Sequence, residues 1–230
     1  TVPRLWEAIQ SGFEEAVRGM PSSRKILLKF ALANSGAQKL AWRKVRGILL
    51  MPIPLKSRLL ALLEAVIRWP FHSLASLLLW PKVLKKLCGG RLRFPINGGG
   101  AIAPHVDAFF EALGVELLVG YGLTETSPVV SCRRPWRNIR GSSGPPLPET
   151  EFRIVDPETG EPKTFGERGL VLVRGPQVMV GYLGKPEATV KVLDPQGWFD
   201  TGDLGMLLVD GSLVFTGRAK DTIVLSSGEN

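Results

Sequence analysis

Cysteine and histidine are almost missing from this chain, with two of each in 230 residues. Cys88 and Cys132 are too few for a disulfide framework and too far apart for a structural metal site, so a reducing compartment is expected. Spanning runs are missing too: the charge-free stretch 69–81 falls short of the about 20 apolar residues that cross a bilayer. The first residue is Thr, and no charged region with a small-residue cleavage site precedes Pro3, so the chain reads as cut from something longer. Acidic residues are scarce in one half only. Residues 1–97 hold 17 Lys/Arg against 4 Asp/Glu, whereas residues 98–230 hold 12 against 17. Such a basic half attracts anionic lipid or an acidic protein, or is simply a solvated face. No zinc-finger spacing, RNA-binding aromatic signature or helix-turn-helix pattern accompanies the charge, so nucleic acid is not an expected partner.

What is present is a dense motif, Gly120-Tyr121-Gly122-Leu123-Thr124-Glu125-Thr126-Ser127-Pro128, directly after the apolar run 115–119. The run reads as a strand, so the motif sits where a strand gives way to a loop, the edge at which open α/β sheets gather ligands. Each residue type suits a nucleotide. A tyrosine ring can stack on a purine, glycines admit a close ligand, a threonine hydroxyl can donate to phosphate, and a glutamate can help hold magnesium. By itself the motif also reads as an ordinary strand-end turn.

The chain divides by pattern. Residues 1–93 read as basic helices: Leu5, Trp6, Ile9, Phe13 and Val17 recur at helical spacing, and Pro52 and Pro54 precede an amphipathic helix over 55–68. The charge-free stretch 69–81 reads either as a buried helical hairpin, which is preferred, or as a helix lying in an anionic membrane interface. Residues 94–148 read as strand, helix and strand, a βαβ unit with glycine clusters at residues 98–100 and 120–122 on one carboxyl edge. Residues 149–217 read as all β, a small distorted barrel with turns at Asp156 and at Asp210-Gly211. The fold class expected is therefore α/β, a parallel layer with helices followed by a barrel-like part. His72 and His105 have no acid partner at a meaningful spacing and are read as structural.

Five motifs in order, Gly98-Gly99-Gly100-Ala101-Ile102, residues 120–128, Gly166 to Gly169 leading to Gly181-Tyr182-Leu183, Trp198 to Gly205, and Gly217 to Ile223, resemble the AMP-forming adenylating superfamily. The wording of residues 217–230 and of Val2 to Glu7 is similar to its long-chain fatty acid CoA ligase and acyl carrier protein synthetase branch. The resemblance implies part of the large domain of such an enzyme, with residues 218–230 as the hinge and the start of a C-terminal domain. It implies ATP and AMP as ligands, Mg2+, and CoA or the phosphopantetheine of acyl carrier protein as acceptor. Long-chain fatty acid is the implied substrate. The compartment is cytoplasm or plastid, with peripheral membrane contact as an option.

The resemblance assigns roles residue by residue. Thr124 contacts the α-phosphate, Glu125 helps hold magnesium, and Tyr121 stacks on adenine with Gly120 and Gly122 beside it. Gly98, Gly99 and Gly100 lie along adenine and the acyl carbonyl, Asp203 accepts from the ribose hydroxyls, and Arg218 contacts ribose or phosphate. Lys220 is the hinge. The family's phosphate loop and its lysine-bearing C-terminal domain have no counterpart in these residues, so the piece alone is expected not to adenylate. Two other readings stay open: a noncatalytic binding module, and a ligase for another carboxylic acid.

Overall fold

The computed structural model describes residues 2–220. The rest of the hinge motif and the expected start of a further domain, residues 221–230, lie outside them. Two compact units emerge. The first comprises Thr1–Val119 and Pro135–Gly141, the second Gly120–Arg134 and the chain from Ser142 on.

In the first unit, helices α1 (Pro3–Arg18), α2 (Ser22–Arg46), α3 (Leu55–Leu78) and α4 (Trp80–Cys88) precede strand β1 (Ile96–Asn97) and helix α5 (Pro104–Ala112). The apolar spacing of α1 buries Trp6, Phe13 and Val17. These meet α5, where the Trp6 ring stands edge-on to Phe110 at 5.1 Å and Phe13 lies 5.1 Å from Phe109. Such aromatic pairs prefer edge-to-face contact because ring edges are positive and faces negative. The β1–α5–β2 passage is the expected βαβ unit: β1 pairs in parallel with β2 (Leu118–Gly122), Ile96 opposite Leu118 and Asn97 opposite Val119. Segment Pro135–Gly141 is held to this unit by a buried ionic knot. Glu111 accepts from Arg43 Nε at 2.6 Å and faces Arg140 Nε at 3.3 Å. Arg43 also donates to the Asn138 carbonyl, and Asn138 Nδ2 donates to Leu117 O at 3.1 Å. A buried charge is tolerable only with this kind of pairing.

Two sequence expectations fail in α3. The helix does not stop before Trp69 but runs through Pro70 to Leu78, and then bends by 47° into α4. Packing along α2 holds it together where the proline removes one backbone donor. Nor is the apolar stretch buried: Trp69 is 59% exposed and Leu77 76%.

The second unit begins within β2. Strand β3 (Val129–Cys132) pairs antiparallel to β2, giving a mixed three-stranded sheet in the order β1-β2-β3. Strands β4 (Glu151–Val155), β5 (Gly169–Arg174), β6 (Phe199–Leu207) and β7 (Leu213–Arg218) form an antiparallel sheet in chain order, with a short helix α6 (Pro186–Thr189) before β6. Where the sequence reads a small distorted barrel, the described residues form an open sheet with no closed barrel. Its distortion is real: register shifts fall between Leu170 and Leu172 and between Leu204 and Gly205. One alternating face supplies the core Val130, Ile154, Val171, Val173 and Leu213. The turns are as expected. Asp156 Oδ1 accepts from the backbone of Glu158 and Thr159, and Lys163 Nζ lies 2.8 Å from its Oδ2. That lysine, together with the two amides, holds the Asp156 carboxyl down at about 2.

Candidate active site

The motif after β2 becomes a tight loop. Thr124–Thr126 form a single 3-10 turn, and Ser127 takes the left-handed conformation with φ 55°. Thr126 fixes it. Fully buried, its hydroxyl receives the Leu123 amide at 3.0 Å and reaches the carbonyls of Leu123 and Pro128. Sequence reading passed over this residue, although a hydroxyl three positions after the strand end is a common turn anchor. Thr124 itself stays exposed.

The β6–β7 register explains the second group of site residues. Asp203 stands directly opposite Arg218 across the ladder, and Arg218 Nε approaches Asp203 Oδ1 at 3.2 Å. Tyr121 donates its hydroxyl to Asp203 Oδ2 at 2.6 Å, while its ring stacks on Phe215 at 6.2 Å and 29°. Burial, and then the bond to Asp203, push the Tyr121 phenol well above its ordinary 10.0. Asp203 is 3% exposed, and its backbone is also tied down, its amide bonding Thr201 Oγ1 at 3.1 Å. Thr201 in turn donates to Val171 O at 2.8 Å. The Asp203 carboxylate is therefore fixed in position.

Glu125 belongs to a different constellation. Its Oε1 accepts from the Tyr182 hydroxyl at 2.9 Å, and its carbonyl accepts from the Met179 amide at 2.8 Å. The hydrogen bond to Glu125, more than burial, raises the Tyr182 phenol above its usual range. Tyr182 had been noted in the sequence only as part of Gly181-Tyr182-Leu183, with no role.

A cleft of about 950 Å³ opens in this unit, lined among others by Glu125, Tyr182, Lys185, Asp200, Arg218 and Lys220. One carboxylate and several cations thus share a cleft large enough for a nucleotide-sized ligand, since small-molecule sites occupy about 300–1,000 Å³. The arrangement suits a polyphosphate with its counter-ion. A single glutamate is what a magnesium ion arriving with phosphates needs, because that ion keeps phosphate and water oxygens as its other ligands. No group of three or more His, Cys, Asp or Glu side chains able to cage an ion by themselves occurs among the described residues. Tyr121 and Asp203 do not line the cleft; they meet it through Arg218. Gly98, Gly99 and Gly100 follow β1 in the first unit, Gly99 with φ 74° and Gly100 close to Pro3. His105 is exposed in the first turn of α5, and His72 bonds Ser35 Oγ at 3.0 Å, each without an acid partner among the described residues.

The chain is similar to two Arabidopsis thaliana proteins over its whole length. It is 42% identical to probable acyl-activating enzyme 16, chloroplastic, and 41% identical to long-chain-fatty-acid–[acyl-carrier-protein] ligase AEE15, chloroplastic. It spans 34% of each of them. Over 59% of the chain it is 42% identical to a long-chain-fatty-acid–CoA ligase of Bacillus subtilis, covering 24% of that protein. Among solved structures, ATP-bound MatB from Rhodopseudomonas palustris superposes with a TM-score of 0.55 and 33% identity, over 66% of this chain and 30% of that one. The five ordered motifs, the fold around them and these likenesses converge with the family model for AMP-binding enzymes, which matches residues 1–183: the chain belongs to the AMP-binding enzyme family.

Proposed function

We propose that the chain is part of an ATP-dependent ligase that activates a long-chain fatty acid as acyl-AMP and passes the acyl group to a thiol. In the first step a carboxylate oxygen attacks the α-phosphorus and pyrophosphate leaves. In the second the thiol sulfur attacks the acyl carbon, the bond to AMP breaks, and the thiol proton is released. The observation that carries this reading is the convergence of Glu125, Arg218 and Lys220 on one cleft, with Arg218 held on the buried Asp203.

Adenylyl transfer depends on positioning and on neutralising charge. Thr124, exposed at the head of the 3-10 turn, donates to the α-phosphate, and Glu125 orients the magnesium that screens the phosphates. Tyr121 offers its ring to adenine while its hydroxyl holds Asp203, which accepts from the ribose hydroxyls. Arg218 supplies a fixed cation to ribose or phosphate, and the glycines Gly98, Gly99, Gly100, Gly120 and Gly122 leave room for adenine and the acyl carbonyl. Lys220 is the hinge residue. The acceptor is CoA or the phosphopantetheine of acyl carrier protein, as the names of the Bacillus and Arabidopsis relatives indicate for those proteins. The word chloroplastic in both Arabidopsis names supports a plastid-type setting.

Pyrophosphate release by the full-length parent, measured across fatty acid chain lengths with CoA and with carrier protein, tests this. Turnover should appear with long-chain acids and a thiol acceptor. Turnover with amino or aryl acids alone would point to another carboxylic acid substrate, and no ATP-dependent turnover at all would favour a noncatalytic module.

A further inference from the structure

Helix α3 is built inside out. At 100° per residue, Ser57, Ala61, Glu64, Ala65, Arg68 and His72 share one side, and that side is the covered one: Ala61 and Ala65 are 3% and 0% exposed. The opposite half of the helix is apolar and open. Leu60 is 69% exposed, Leu63 59%, Ile67 63% and Leu74 58%.

The contact with α2 is made of small and polar groups. Asn34 Nδ2 donates to Arg68 O at 3.3 Å, His72 Nδ1 lies 3.0 Å from Ser35 Oγ, and the Glu64–Arg68 pair closes at 2.9 Å within α3. Gln38 is fully buried, and neither polar atom of its amide has a partner among the described residues. Across the outer surface Phe71 joins Phe30 of α2 edge-on at 6.0 Å, so the open apolar face continues onto the second helix, where Ile26 is 68% exposed. A soluble helix pair buries its leucines and shows water its polar residues. Small and polar residues between helices, with leucines outside, is the arrangement of helices bathed in lipid.

The rims of the face decide the occupant. Lys56 at the start of α3, and Lys82, Lys85 and Lys86 on α4 just past its end, are all exposed. Lysines flanking an apolar surface complement anionic headgroups and repel a second copy of the same surface. Lys56, Arg58, Glu64 and Arg68 within α3 oppose a spanning orientation, since charges at the bilayer centre are costly. We propose that the outer face of the α2–α3 pair docks on an anionic bilayer surface, with α3 lying in the interfacial plane and the lysines of α3 and α4 among the headgroups. This inference is independent of the ligase reading.

The test is flotation of the full-length parent with phosphatidylcholine vesicles, with and without phosphatidylglycerol. Two variants accompany it: Leu63→Glu with Ile67→Glu, and Lys82→Gln with Lys85→Gln and Lys86→Gln. The parent should float with the anionic vesicles. The glutamate variant should lose vesicle partition by about tenfold or more, because two large side chains leave the acyl boundary and two negative charges enter. The glutamine variant should lose about tenfold or more with anionic vesicles and little with neutral ones. Both should keep the parent's melting temperature. Three results overturn the proposal: a parent that stays unbound with both vesicles, a glutamate variant that floats like the parent, or a glutamate variant whose melting temperature falls. The last would mean that the parent's own chain covers this face. Conversion of a dimer to a monomer by the glutamate change, without an effect on flotation, overturns it in favour of a second copy.

Discussion

Tyr121 meets two demands through one side chain: its hydroxyl holds Asp203 at 2.6 Å while its ring lies along Phe215. Burial and that bond keep the phenol protonated far beyond its ordinary 10.0, so the folded state binds a proton that the unfolded state releases. The stability this contributes is whole below pH 10 and declines as pH rises above it. Thermal melts of the chain should fall above pH 10, and Tyr121→Phe should flatten that alkaline slope. Parallel slopes in the two proteins would refute the linkage. Tyr182 makes a second prediction. Its hydroxyl gives Glu125 its one printed side-chain hydrogen bond, at 2.9 Å, and a bond to a charged group is worth about 1.5–3 kcal/mol. In the parent, Tyr182→Phe should raise the magnesium concentration for half-maximal pyrophosphate release by about tenfold, leaving the ATP KM at saturating magnesium close to normal. An equal rise in both would mean that Tyr182 merely supports the loop. Neither pair was legible beforehand: Tyr121 and Asp203 are 82 residues apart and Tyr182 and Glu125 are 57 apart, so the motifs gave the residues and only the fold joined them.

At the scale of elements, the loop after β2 depends on Gly122. A Cβ built there would lie 1.8 Å from Pro128 O and 2.8 Å from Val129 Cα, backbone on both counts, so no side-chain motion relieves the clash. Gly122→Ala should destabilise the chain by about 3 kcal/mol, read as a lowered midpoint in urea unfolding. A midpoint within error of the parent's would show that the β2–β3 turn relaxes freely. Strand alternation, Pro104 at the helix start and Gly114 after it made the βαβ unit readable, and Asp210-Gly211 announced the β6–β7 hairpin. Strand β3 was hidden, because Val129–Cys132 follows the nucleotide-like motif without a turn signal of its own and becomes a strand by pairing with β2. The α3 error has a different cause. Its periodicity is helical, but period says only that one face differs from the other, and which face turns inward was assumed from hydrophobicity. In α3 that assumption is reversed.

For the whole chain, the uneven charge makes the last prediction. The excess of 13 positive charges in residues 1–97 is a field that a single ion pair cannot produce, and it acts on whatever acidic body approaches. If the thiol acceptor of the parent is acyl carrier protein, an acidic protein, encounter is steered by this field and screened by salt over about 8–10 Å at physiological ionic strength. Loading of carrier protein by the vesicle-free parent should therefore slow by about tenfold or more between low and physiological salt, through kcat/KM rather than kcat. CoA concentrates its charge on a few phosphates held near the site, so its kcat/KM should fall less over the same range. Replacing Lys82, Lys85 and Lys86 by Gln separates the two uses of the basic surface. If the carrier protein reads the field as a whole, three lysines among 17 Lys/Arg should lower its low-salt advantage only modestly, while vesicle binding, which depends on those particular lysines, collapses. Carrier loading that ignores salt altogether would remove acyl carrier protein as the acceptor this charge was expected to attract, leaving CoA.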